Sequence, residues 1–319
     1  MNRRQFIGLC TTLSSSPLAV GAITALSAAS AFAATSPASN NAGRTVKFPD
    51  GTVVPALGQG SFGLGWGRYP RTLEVEALRT GISLGMTLID TADGDTADAR
   101  AEELIGRAIV GQRDRVYLVS KVWLSLTSED DIARACEASL ARLGTDHLDL
   151  YLLHFFSNNQ QSKIGITDLA SIVATFENLR SAGKIRAWGV VNFTLRDMER
   201  LFQVPQGNRC ATNQVSYSLG HRGIEHDLLP WCERHGLPVM ADDWPMPIVR
   251  DRTLARIGQA HNCSAAAIAL AWVIRSGNVI AIPESDSPAH VKENAVALSL
   301  TLTSEELQIL DAAHPSGGR

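Results

Sequence analysis

The chain has 319 residues, of which 45% are apolar and 19% charged, and its formal net charge is −3. That balance is ordinary for a soluble enzyme: it lacks the basic excess that draws a protein to nucleic acid, and it exerts no global pull toward a membrane. The length accommodates two domains or one α/β barrel, since such barrels run to about 250 residues as a single unit.

The sequence opens MNRRQFIGL, with Arg3 and Arg4 ahead of Phe6, and a weakly apolar stretch rich in Ala, Ser and Thr continues to Ala34. Paired arginines, such a stretch and the small-x-small run Ala31-Phe32-Ala33 are the features of a twin-arginine export signal. Residues 1–33 are therefore expected to be a signal peptide that engages the twin-arginine export machinery and is removed, leaving a periplasmic or otherwise exported protein. A stable membrane anchor fits less well, because Ser14-Ser15-Ser16-Pro17 and the interspersed glycines and threonines dilute the segment below a spanning helix. Cys10 precedes the apolar region instead of ending it, which argues against lipoprotein processing. Residues 34–43 are small and polar and read as a linker, with one domain from 44 to 319.

In VKFPDGTVV, strand-forming residues flank Pro49-Asp50-Gly51, the pattern of a β-hairpin. Short apolar runs then alternate with amphipathic stretches. ALGQG (56–60), TLID (87–90), VYLVSKV (116–122), LDLYLLH (148–154), IRAWGVV (185–191), ATNQVSY (211–217), PVMAD (238–242) and VIAIP (279–283) read as strands. Helices are expected at 72–84, 101–109, 129–142, 167–182, 195–203, 225–235 and 264–275. Near-continuous apolar strands separated by helices predict an α/β fold, a parallel (β/α)8 TIM barrel preceded by the hairpin. An open doubly wound sheet is the alternative, but no strand is followed by a G-x-G-x-x-G turn and a ribose-binding acid. Cys136, Cys210, Cys232 and Cys263 are widely spaced without a C-x-x-C pair, so buried helix cysteines are expected in place of a zinc site.

In such a barrel the chemistry sits at the C-terminal ends of the strands. Those ends read Asp90, Lys121, His154, Asn192, Gln214, Asp242 and Glu284, polar or charged residues that are hard to explain as core and should ring one mouth.

These positions, with the motifs GMTLIDTA, LVSKV, LYLLH, GVVNF, NQVSYSL, RGIEHDLLPWC and AIPESDSPAHVKEN, resemble a short-loop bacterial aldo-keto reductase over essentially the whole chain after the signal. The resemblance implies an oxidoreductase that moves hydride between NAD(P) and a small-molecule carbonyl or alcohol substrate. It implies Asp90 paired with Lys121, His154 orienting the carbonyl, and Asn192 and Gln214 holding the nicotinamide amide. Glu293 and Asn294 match positions near the adenine, and Ser285 is a further cofactor-binding position.

Departures fall on the same functional positions. The family's catalytic tyrosine stands five residues after the aspartate, and here that position is Asp95. Val191 replaces a serine, Ala241-Asp242-Asp243-Trp244-Pro245 replaces a Tyr-Ser-Pro run, and Glu284 with His290 stands where the resemblance implies basic residues for the 2′-phosphate of NADP. Tight NADP binding is therefore not expected. Two candidates remain for a displaced proton donor, His154 and Tyr69, the latter in the loop after the first barrel strand. Asp90, Asp95, Asp242, Asp243 and Glu284 at one mouth also suit nicotinamide-independent proton transfer, as in an isomerase, lyase or hydrolase, because like charges sharing a site split their pKa values. A non-catalytic barrel is the third reading, with Trp66, Trp123 and Trp244 as ligand walls and Trp188 as packing. Asp93, Asp95 and Asp98 lack the glycine and distal glutamate of a calcium loop, so no metal site is expected.

Overall fold

The computed structural model describes residues 43–93, 97–124, 129–155, 166–242 and 250–316. The expected signal peptide, nearly all of the linker, Asp95, Asp243 and Trp244 lie outside the described residues, as does the side chain of Asp98.

Strands β1 (Thr45–Lys47) and β2 (Val53–Pro55) form the hairpin, with Val46 opposite Val54. Its turn is set by Gly51, at φ 93°, and by Asp50, whose carboxylate accepts from the Thr52 amide at 2.8 Å. Phe48 is buried and its ring stacks 5.3 Å from that of Tyr117, the first residue of a central strand. The hairpin therefore packs at the N-terminal end of the barrel and leaves the C-terminal end to the site.

Eight parallel strands follow: β3 (Gln59–Gly60), β4 (Leu88–Asp90), β5 (Tyr117–Leu124), β6 (Leu148–Phe155), β7 (Ile185–Val191), β8 (Asn213–Val215), β9 (Val239–Ala241) and β10 (Val279–Ala281). Each pairs with its sequence neighbour. The bridges Leu57–Ala281 and Gly60–Glu284 join the last strand to the first, closing the (β/α)8 barrel. Gly60 is required at this closure, since a Cβ there would stand 2.7 Å from the carbonyl oxygen of Ile282. The strand runs read from the sequence all hold a β-strand, ALGQG only at its last two residues, because side chains buried on both faces leave an unbroken apolar signal.

The expected helices form with their ends shifted by a few residues, as Arg71–Ser83, Ala97–Ile109, Glu129–Leu143, Ile166–Ser181, Leu195–Gln203 and Ala265–Val273, the last running on into a 3-10 turn at Ile274–Ser276. The segment 225–235 is shorter than expected: the α-helix is Leu228–Arg234, with Asp227 as its N-cap, and a 3-10 turn at Gly223–Glu225 precedes it. Helices at Arg252–Ala260, Pro288–Ala295 and Ser304–Ala313 go beyond those expected. Cys136 and Cys232 are buried on helices, whereas Cys210 and Cys263 lie in connections, Cys210 buried and Cys263 half-buried. No single described helix is long and apolar enough to cross a membrane.

Candidate active site

Side chains two apart on a strand share a face, and register carries that face to the next strand. Asp90 pairs with Val119, Lys121 with Leu152, and Trp123 with His154. The alternation therefore turns Asp90, Lys121, Trp123 and His154 to the barrel interior at its C-terminal end. The neighbouring positions face outward: the Ser120 hydroxyl donates to Glu102 at 2.8 Å, and Tyr151 packs against Phe176 of the helix Ile166–Ser181.

Asp90 and Lys121 are buried as an ion pair, Nζ to Oδ2 at 2.6 Å, and Nζ also donates to the Thr91 carbonyl at 3.0 Å. Burial raises the Asp90 pKa above its usual value, opposed by the Lys121 ammonium. The Gln214 amide pulls the same way as Lys121, although it makes no hydrogen bond of normal length to Asp90. His154 lies against Trp123, ring centroids 4.0 Å apart, and its Nε2 is 3.5 Å from the Asn192 amide nitrogen. Burial, aided by the Lys121 charge, lowers the His154 pKa to about 4. The imidazole is therefore neutral at pH 7 and presents a hydrogen-bonding group to the cavity.

Asp90, Lys121, Trp123, His154, Asp242 and Glu284 line one cavity of about 200 Å³. Five of the seven strand-end residues thus converge directly. Asn192 reaches the cavity through His154; its φ of 58° and the hydrogen bond its backbone N–H donates to the Gln214 backbone carbonyl, 2.7 Å, hold it at the turn after β7. Gln214 is fully buried, and neither end of its amide has a hydrogen-bond partner among the described residues. An orphaned buried amide of this kind calls for a polar ligand group. Val191 is buried in β7 in register with Gln214.

A groove of about 550 Å³ adjoins this cavity and shares Ile282 and Glu284 with it. Ser285, Glu293 and Asn294 line it, with His290. Sequence reasoning missed Arg68, which lines the groove and pairs with Glu284 at 3.6 Å. Phe62, at the cavity, was also missed. Trp66 and Tyr69 draw attention to that loop in the sequence, and its glycine-rich run SFGLGWGR is the signal that could have added their neighbours.

All four tyrosines are described, and none lines the cavity. Tyr117 is at the far end of its strand and Tyr151 faces the helices. The Tyr217 hydroxyl donates to Glu225 at 2.7 Å and accepts from Arg275 at 3.1 Å. Tyr69 is 39% exposed in its loop. Trp188 is buried and donates to Glu177 at 2.8 Å, a packing role as expected. Trp66 is 43% exposed on the loop after β3.

A closed parallel barrel with a buried Asp–Lys pair and a neutral histidine at its C-terminal mouth, beside a long groove, is the architecture of a barrel oxidoreductase. The chain belongs to the aldo/keto reductase family, whose model it matches over residues 56–245 and 243–315. It is 46% identical over 281 residues to methylglyoxal reductase YeaE of Escherichia coli (strain K12), covering 86% of this chain and 95% of that protein. The glyoxal reductase of Bacillus subtilis (strain 168) is 30% identical over 273 residues, 84% of this chain and 92% of that one. Among solved structures, an aldo/keto reductase from Klebsiella pneumoniae in complex with NADP and acetate superposes with a TM-score of 0.79 at 44% identity, covering 87% and 97% of the two chains.

Proposed function

We propose that this chain is a carbonyl–alcohol oxidoreductase for a small carbonyl compound, with 2-oxoaldehydes of the methylglyoxal type the first substrates to test, and that it works without a tyrosine acid. The observation that carries the reading is the cavity itself, in which Lys121, paired with Asp90, and neutral His154 face one space beside an unpartnered Gln214 amide.

The nicotinamide end of a dinucleotide fits these residues: Asn192 and Gln214 offer amide groups to a carboxamide. When bound, the nicotinamide supplies or accepts the hydride. His154 positions the substrate oxygen as a neutral donor. Two of the Lys121 ammonium hydrogens go to Asp90 and Thr91, which leaves a third for the cavity. In reduction, the carbonyl oxygen takes its proton from that ammonium as hydride reaches the carbon, and the resulting amine is reprotonated by solvent or through Asp90. The groove fits a 2′-phosphate poorly, since Glu284, Asp286 and Glu293 line it against a single arginine among the described residues. Binding of NADPH is accordingly weaker than with basic residues at these positions.

Loss of reduced-nicotinamide absorbance with methylglyoxal tests the reading. Lys121→Met should lower kcat by about 100-fold or more, the span of general acid catalysis, while Tyr69→Phe stays within about twofold, since it removes only an exposed hydroxyl. Loss of activity in Tyr69→Phe would establish a migrated phenol instead. The second reading, proton transfer without nicotinamide, is favoured by the carboxylates of Asp90, Asp242 and Glu284 on the same cavity and by the raised Asp90 pKa. Its signature is substrate conversion that consumes no cofactor and is abolished in Asp95→Asn.

Residues 1–33 direct export in this reading, supported by Arg3-Arg4 and Ala31-Phe32-Ala33, with residues 34–43 a linker to the barrel. Any dinucleotide is then loaded before export, because the twin-arginine route carries folded protein. Mass spectrometry of exported protein should find a chain beginning near Ala34, and Arg3→Lys with Arg4→Lys should abolish export. An intact Met1 in exported material contradicts it.

A further inference from the structure

We infer that Arg68 is a phosphate ligand for the dinucleotide, held in reserve by Glu284, so that binding exchanges a protein carboxylate for a diphosphate on the same guanidinium. This rests on the nicotinamide reading of the groove and adds to it the group that receives the cofactor's charge.

Arg68 is the only lysine or arginine among the described residues lining the groove, against the carboxylates of Glu284, Asp286 and Glu293. A dianionic diphosphate entering there therefore has one full cation to meet. That cation is loosely committed. Its Nη1 lies 3.6 Å from Glu284 Oε1, beyond a normal hydrogen bond, and the arginine side chain is 46% exposed while that of the glutamate is 16% exposed. The guanidinium also rests 5.2 Å over the Trp66 ring, which keeps it beside the groove without occupying its donors.

The loop is built for this placement. Gly63, Gly65 and Gly67 have φ of 87°, 75° and 82°, a conformation that favours glycine. Gly63 is needed for a second reason, because a Cβ there would stand 2.3 Å from Glu284 Oε1, so the carboxylate packs directly on the loop backbone. A Cβ at Gly67, just before Arg68, would meet nothing within 4 Å, so backbone conformation alone calls for glycine there. Glu284 borders both the cavity and the groove, and so holds Arg68 at the junction a dinucleotide must cross. A partly exposed ion pair at this spacing is weak, whereas an arginine bonding two phosphate oxygens at once is strong and directional. The exchange therefore runs toward the ligand, and Glu284 keeps an empty groove from presenting a bare cation to other anions.

Titration calorimetry on the full chain tests this with NADH, NADPH, ADP and adenosine as probes. Arg68→Ala should weaken NADH and ADP by about tenfold, the loss expected of one charge-assisted contact, and leave adenosine unchanged. Glu284→Gln should tighten NADH by about tenfold when Arg68 is present and by less than about threefold in the Arg68→Ala background, a coupling that a double-mutant cycle reads directly. If the dinucleotides bind but Arg68→Ala matches the unmodified protein, or Glu284→Gln gives the same gain with and without Arg68, the inference is overturned and Glu284 acts by repulsion alone. If neither dinucleotide binds the unmodified protein or Glu284→Gln, the nicotinamide reading itself fails and the inference with it.

Discussion

Burial and the neighbouring ammonium hold His154 to a pKa of about 4, against an ordinary value of 6.5. Between those two values the unfolded chain binds a proton that the folded chain refuses, so stability from this group is complete above pH 6.5 and is lost as pH falls through the window. The full span corresponds to about 3 kcal/mol at 1.36 kcal/mol per pH unit. Urea unfolding at pH 4 to 7 should therefore show a steeper acid-side loss for the unmodified protein than for His154→Gln. Equal slopes would mean that the imidazole is solvated and free to protonate. Asp90, Lys121 and His154 were legible in the sequence because each ends or nearly ends an apolar strand, where a charged or polar side chain has no structural reason to be. Arg68 was not, because its partner Glu284 becomes a neighbour only when the first and last strands meet.

At the scale of elements, strands were easier to read than helices. A strand buried on both faces is an uninterrupted apolar run, whereas the outer helices carry a weaker amphipathic pattern whose ends depend on caps. The three helices not foreseen all had start signals in plain view. The Asp251 side chain accepts from the amides of Thr253 and Leu254, Pro288 occupies the first turn of its helix, and Thr303 and Glu306 form a reciprocal capping box. Thr303 accepts from the Glu306 amide at 3.2 Å, and Glu306 accepts from the Thr303 amide at 2.7 Å. Thr303→Ala should cost about 1 kcal/mol, seen as a lower denaturation midpoint with an unchanged slope and unaltered cofactor affinity. A loss of several kcal/mol would mean that the last helix fastens the barrel by more than its cap. The Asp227 cap shows the converse case. It starts its helix later than the apolar pattern alone suggested, since the segment before it forms a 3-10 turn.

For the whole molecule, the (β/α)8 fold and the family were legible from the order of the strands and the residues at their ends. The reaction was less so, because a barrel fixes where chemistry happens and leaves the kind of chemistry to a few side chains. With every tyrosine placed outside the cavity, the oxidoreductase and proton-transfer readings share the same pocket and differ in one thing, whether hydrogen reaches the substrate carbon from a nicotinamide. The direct measurement is to incubate the protein with methylglyoxal and either NADH or NADPH deuterated at the transferable C4 position, then locate deuterium in the product by mass spectrometry and NMR. One deuterium on the former carbonyl carbon, formed in step with oxidised nicotinamide and lost in Lys121→Met, is the expected result. Product that carries only solvent hydrogen at that carbon while the nicotinamide stays reduced would contradict it.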